Sequence, residues 1–140
     1  MKKLIVLILS LFLLTGCSEK KVIDSYIYID IPSIVFKDYL WECEIGNDQV
    51  ILYKSQEYIS HGNTFNQKYI LEAVDSGEAT ITFKYLSNST LELLYTLQYT
   101  VRVDDNLDVH VISSSGDFNY DIPKLTFEKK EFNAYKYFLY

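Results

Sequence analysis

Apolar and polar residues alternate along most of this chain. Ile27, Ile29 and Ile31 fall on one side of "YIYIDI" (26–31), and Ala79, Ile81, Phe83 and Tyr85 fall on one side of "EATITFKY" (78–85), opposite Thr80, Thr82 and Lys84. Successive side chains of a strand point to opposite faces, so each pattern predicts a strand with one buried and one wetted face. The longest alternation sets Leu91, Leu93, Tyr95, Leu97, Tyr99, Val101 and Val103 on one face, against Glu92, Leu94, Thr96, Gln98, Thr100 and Arg102 on the other. Further strands are predicted around Tyr39 and Trp41, over 50–55, over 68–74 and over 107–112.

Turn chemistry separates these segments. Pro32 lacks a ladder donor and interrupts the first; Gly46-Asn47-Asp48 marks a turn, and residues 60–67 read as a polar loop in which Gly62-Asn63 suits positive φ. Asp75-Ser76-Gly77 is short enough to make residues 68–85 a hairpin. Residues 86–90 and 113–117 read as loops. Short strands, frequent turns and no sustained helical period predict an all-β domain, an immunoglobulin-like antiparallel β-sandwich of about seven strands. Composition agrees: 13 Tyr and 8 Phe against 5 Gly and 2 Pro favour half-buried pleated surfaces.

Both ends lie outside this pattern. Met1-Lys2-Lys3 followed by the apolar run Leu4–Leu14 reads as a signal peptide, too short for a bilayer-spanning helix. "LTGC" (14–17) then resembles the bacterial lipobox, which implies cleavage before Cys17, acylation of its sulfur, and localisation in the cell envelope on the extracytoplasmic side of the membrane. More than one acyl chain makes such an anchor stable. The predicted organisation is therefore a lipoprotein signal peptide (1–16), a lipidated tether (17–25), the sandwich (26–103) and a C-terminal extension packed on it (104–140). The extension carries Phe127, Phe132, Tyr135, Tyr137, Phe138 and Tyr140, which are expected to cover a sheet edge or face, with a helix over 128–138 as one option.

Charge and cysteine narrow the function classes. Loss of Lys2 and Lys3, with no acid before Cys17, takes the formal charge from −6 to −8, which argues against a nucleic-acid partner. Once Cys17 is lipidated Cys43 has no partner for a disulfide. Cys43, beside Trp41 in a predicted strand, reads as a buried inert thiol rather than a nucleophile served by His61 or His110. One free Cys and two distant His fit no zinc spacing, and the carboxylates of "DDNLD" (104–108) lack the spacing of a calcium loop, so a solvated turn is expected there. No metal, no cofactor and no enzymatic activity are expected.

One family resemblance rests on quoted residues. Tyr69, Leu71 and Ala73 before the Gly77 turn, then Ala79, Ile81, Phe83 and Tyr85, the alternating Tyr99, Val101 and Val103, and Tyr39-Leu40-Trp41 upstream resemble the framework of the chagasin family over residues 26–103. These are protein inhibitors of papain-like cysteine peptidases on an immunoglobulin-like sandwich. The resemblance implies noncovalent inhibition by three loops at one end, which places partner contacts at Phe36, Lys37, Asp38 and Tyr39, at His61, Gly62, Asn63 and Thr64, and at Ser87, Asn88 and Ser89. Ile34–Asp38 stands where the family has Asn-Pro-Thr-Thr-Gly, and Ser87-Asn88-Ser89 where it has Arg-Pro-Trp. The expected partner is a cysteine peptidase or another envelope protein, with the lipid bilayer held through Cys17. The alternative is a noncatalytic envelope interaction or structural module that keeps the scaffold without the inhibitory loops.

Overall fold

The structure, a computed structural model, describes residues 21–33, 38–118 and 121–133. The strands are β1 (Lys21–Pro32), β2 (Tyr39–Ile45), β3 (Ile51–His61), β4 (Thr64–Ala73), β5 (Gly77–Ser87), β6 (Leu93–Val103), β7 (Val109–Gly116) and β8 (Thr126–Asn133). They form two four-stranded sheets, in the orders β3-β4-β1-β8 and β2-β5-β6-β7. The set β3-β4-β1 against β2-β5-β6 has the order of the D-E-B and C-F-G strands of an immunoglobulin sandwich. β8 occupies the place of strand A beside β1, and β7 continues the second sheet past β6. The described residues form an all-β antiparallel sandwich of eight strands.

Alternation explains the core. Ile27, Ile29 and Ile31 of β1, Tyr69, Leu71 and Ala73 of β4, Ala79, Ile81, Phe83 and Tyr85 of β5, and Leu97, Tyr99, Val101 and Val103 of β6 are all buried. Each large apolar side chain removed from water in this way contributes roughly 1.5–3 kcal/mol. The rings interlock between the sheets, with Tyr69 and Phe83 centroids 5.0 Å apart and Trp41 and Tyr85 centroids 4.9 Å apart.

Several expectations are corrected. Residues 68–85 are not a hairpin: β4 and β5 belong to different sheets, and Asp75-Ser76-Gly77 carries the chain across the sandwich. Both strands bury a full alternate set, so they pack face to face rather than pair edge to edge. The hairpin lies one connection earlier, where His61 pairs with Thr64 around Gly62-Asn63. With φ +73° at Gly62 and not at Asn63, this is the II′ arrangement that matches strand twist. The polar stretch 60–67 is thus strand and turn rather than loop. "SSSG" (113–116) completes β7, and residues 126–133 are a strand rather than the start of a helix. The tail beyond 133 lies outside the described residues. β1 starts at Lys21, inside the stretch expected as tether.

The face of β6 is corrected as well. A register shift between Tyr85 and Leu86 pairs Leu86 with Leu93 and skips Leu94, so Leu93 turns to the outer face while Leu94 packs on the core. Leu91 and Leu93 are consequently exposed, not buried with Tyr99 and Val101.

By internal packing the chain divides into residues 24–130 and a second unit of residues 1–23 with 131–140. Of the second unit the structure describes residues 21–23 and 131–133, where Lys21 Nζ and Glu131 Oε2 stand 3.9 Å apart.

Candidate protein-binding site at the loop end

β1 ends at Pro32, β2 begins at Tyr39, β3 and β4 meet at Gly62-Asn63, and β5 and β6 meet across residues 88–92. In this sandwich order those three connections emerge at one end, because β1, β3 and β5 run toward it and β2, β4 and β6 run away from it. Side chains that face the core just below hold the two sheets together there. The Trp41 N–H donates to Gln67 Oε1 (2.8 Å), Gln67 Nε2 donates to the Trp41 carbonyl (3.1 Å), and Trp41 Nε1 donates to the Pro32 carbonyl (3.2 Å). The Tyr69 hydroxyl also donates to the Trp41 carbonyl, at 2.5 Å. An internal amide left without partners is costly, and here both ends of the Gln67 amide are used.

Above this layer, Asp38 and the 87–92 turn are knitted together. Ser87 Oγ and Ser89 Oγ donate to Asp38 Oδ2 at 2.6 and 2.7 Å, and the Asn88 N–H donates to the Asp38 carbonyl at 2.8 Å. Hydrogen bonds from the Ser87 and Ser89 hydroxyls favour the ionised carboxylate and hold Asp38 below the usual Asp range. Within the turn, the Leu91 N–H donates to the Ser87 carbonyl (2.9 Å) and the Ser87 N–H to the Glu92 carbonyl (3.0 Å). The Tyr39 hydroxyl donates to Glu92 Oε2 at 3.1 Å.

The residues expected from the sequence therefore divide. Asp38, Ser87, Asn88 and Ser89 are brought together in one braced unit, with Ser87 buried rather than presented. Tyr39 is a paired strand residue opposite Ser87, not part of a loop. His61, Gly62, Asn63 and Thr64 form the exposed tip of the β3–β4 hairpin at the same end. Phe36, Lys37 and Cys17 lie outside the described residues. Leu91 was not among the expected contacts, although it stands 72% exposed at φ +60°. Its place in a long apolar alternation hid it, and only the register shift reveals it.

Other reactive groups fit internal roles. Cys43 lies on β2, half-buried, and burial pushes its thiol up to about 12. Asp104 Oδ1 accepts from the N–H groups of Asn106 (2.9 Å) and Asp108 (3.0 Å), and Oδ2 lies 3.2 Å from His110 Nε2. That carboxylate organises the turn between β6 and β7, and these bonds, the backbone one from Asp108 foremost, keep it below the usual range.

Comparison with curated proteins and with solved structures returns no match for this chain. Residues 1–18 match the family described as a prokaryotic membrane lipoprotein lipid attachment site, and the cysteine within them is Cys17. The chain is a lipoprotein anchored to the membrane of the cell envelope.

Proposed function

We propose that this lipoprotein is a noncatalytic binding module on the extracytoplasmic side of the membrane, and that its loop end is a noncovalent inhibitor of papain-like cysteine peptidases. The observation that carries the reading is the convergence of the end of β1, the start of β2, and the 61–64 and 87–92 connections at one end of an immunoglobulin-type sandwich. A rigid protein wedge loses little freedom on docking, which is what lets a small surface bind tightly. The Gln67–Trp41 clamp and the Asp38–Ser87–Ser89 bonds supply that rigidity. The chagasin-like framework residues support it too: Tyr69, Leu71 and Ala73 face Ala79, Ile81 and Phe83 across the core.

A second reading is favoured by one observation. The Ser87 and Ser89 hydroxyls are committed to Asp38, so this turn presents neither an aromatic nor an Arg anchor of the kind that dominates tight interfaces. That suits a module that binds another envelope protein. The test is titration of the chain from Ser18 onward against papain and a cathepsin-like peptidase under reducing conditions. Reversible inhibition that weakens when Asp38 or the 87–89 turn is altered supports the inhibitor; full activity at micromolar folded domain assigns the loop end to another partner.

A further inference from the structure

The outer face of the β2-β5-β6-β7 sheet changes character along its length. Far from the loop end it is polar and charge-paired: Arg102 Nη2 lies 2.8 Å from Glu78 Oε1, Thr80 is opposite Thr100, and Lys84 Nζ lies 2.6 Å from Glu44 Oε2. A wetted antiparallel face normally reads this way. The last row before the loop end does not. Leu40 pairs with Leu86, and Leu86 pairs with Leu93, so three leucines lie side by side across three strands. Leu93, turned outward by the register shift, is 51% exposed.

Leu91, two residues before Leu93 in the turn that joins β5 to β6, is in the left-handed region, which a bulky side chain rarely adopts. The bonds from Leu91 N to Ser87 O and from Ser87 N to Glu92 O fix it there. Backbone strain that holds an apolar side chain out in water points to a use for that side chain.

We infer that Leu40, Leu86, Leu93 and Leu91 form a docking strip for a protein partner whose contact surface is apolar at its centre and basic at its rim. The inference deepens, and rests on, the reading of the loop end as the binding end. The basic rim follows from charge: Asp38, Glu42 and Glu92 flank the strip, while Lys84, the cation among the described residues of these rows, is already paired with Glu44. A second copy would set two acidic rims against each other, and four leucines fall well short of the roughly 800 Å² per partner of a stable interface. A protein that engages the strip together with the adjoining turns meets both limits.

The test uses the full-length lipoprotein in membranes of its own host, with photoreactive benzoylphenylalanine in place of Leu93 or, as control, of Gln98 on the same outer face. The expected result is an adduct to one other protein from position 93 and not from position 98, with a yield that falls about tenfold in Leu86→Glu or Leu91→Asp and falls as salt is raised. Leu91→Asp is the safeguard for folding, since that side chain packs on nothing that the core needs. Adducts to lipid, adducts to a second copy, equal adducts at 93 and 98, or no adduct would overturn the strip. An adduct that meets these criteria but proves not to be a papain-like peptidase leaves the strip standing and removes the peptidase reading. Papain inhibited equally by wild type, Leu86→Glu and Leu91→Asp does the reverse.

Discussion

Gln67 of β4 takes both backbone hydrogen bonds of Trp41 on β2, donating to its carbonyl and accepting from its N–H, and so acts as a strand of one residue between the two sheets. Gln67 is fully buried. Replacing it with Leu keeps the volume but leaves the Trp41 N–H without a partner, at a cost of about 2–3 kcal/mol. For a domain of this size the midpoint of thermal unfolding, followed by circular dichroism, falls by about 10 °C. An unchanged midpoint would show that the clamp is not a source of stability.

The Asp38 carboxylate is held below the usual Asp range by the Ser87 and Ser89 hydroxyls. A carboxylate whose folded value is depressed gives its stabilisation in full above its unfolded value and loses it as pH falls through the folded one. The 87–92 turn is therefore expected to stay braced at neutral and mildly acidic pH and to loosen only below the ordinary Asp range. The Ser89 amide resonance, followed by NMR against pH, reads this directly, and Ser87→Ala moves its midpoint upward.

The sandwich was legible because alternation and burial follow the same rule: Ile27, Ile29, Ile31, Leu97, Tyr99, Val101 and Val103 are core in both sequence and structure. Which strand pairs with which was not. Ala73 and Ala79 bracket a turn as short as any hairpin turn, and only the need of both strands to bury an apolar face sends them to different sheets. The strand expected over 107–112 is there as β7, but its extension through "SSSG" and the whole of β8 escaped the reading because "SSSG" and "FEKKEF" carry little alternation; their positions follow from pairing with strands already in place. At the site, only the family resemblance grouped Asp38 with the 87–89 turn, and Leu91 and Leu93 were hidden by a one-residue register shift that no period-two pattern can signal.

Two glycines separate packing from backbone freedom. Gly77 sits at φ +141°, and a Cβ there would approach Val50 Cγ2 to 2.8 Å; Gly62 sits at φ +73° with no such neighbour within 4 Å. Gly62→Ala is expected to cost about 1 kcal/mol for the conformation alone. Gly77→Ala adds an overpacking cost and loses about 2–3 kcal/mol in denaturant unfolding. Equal losses would mean that Val50 yields freely.

Burial pushes the Cys43 thiol up to about 12, so little thiolate exists at pH 8. Alkylation by iodoacetamide at that pH is expected to run at least about 100-fold slower in the folded domain than in the unfolded chain. Rapid labelling of the folded protein would contradict the buried, inert role.

The most direct measurement is hydrogen exchange on the chain from Ser18 onward, alone and saturated with papain. Binding through the loop end predicts added protection at residues 61–64 and 87–92, with the β6–β7 turn at 104–108 unchanged. Unaltered exchange at the loop end, or protection confined to 104–108, would contradict inhibition of a papain-like peptidase by this end of the sandwich.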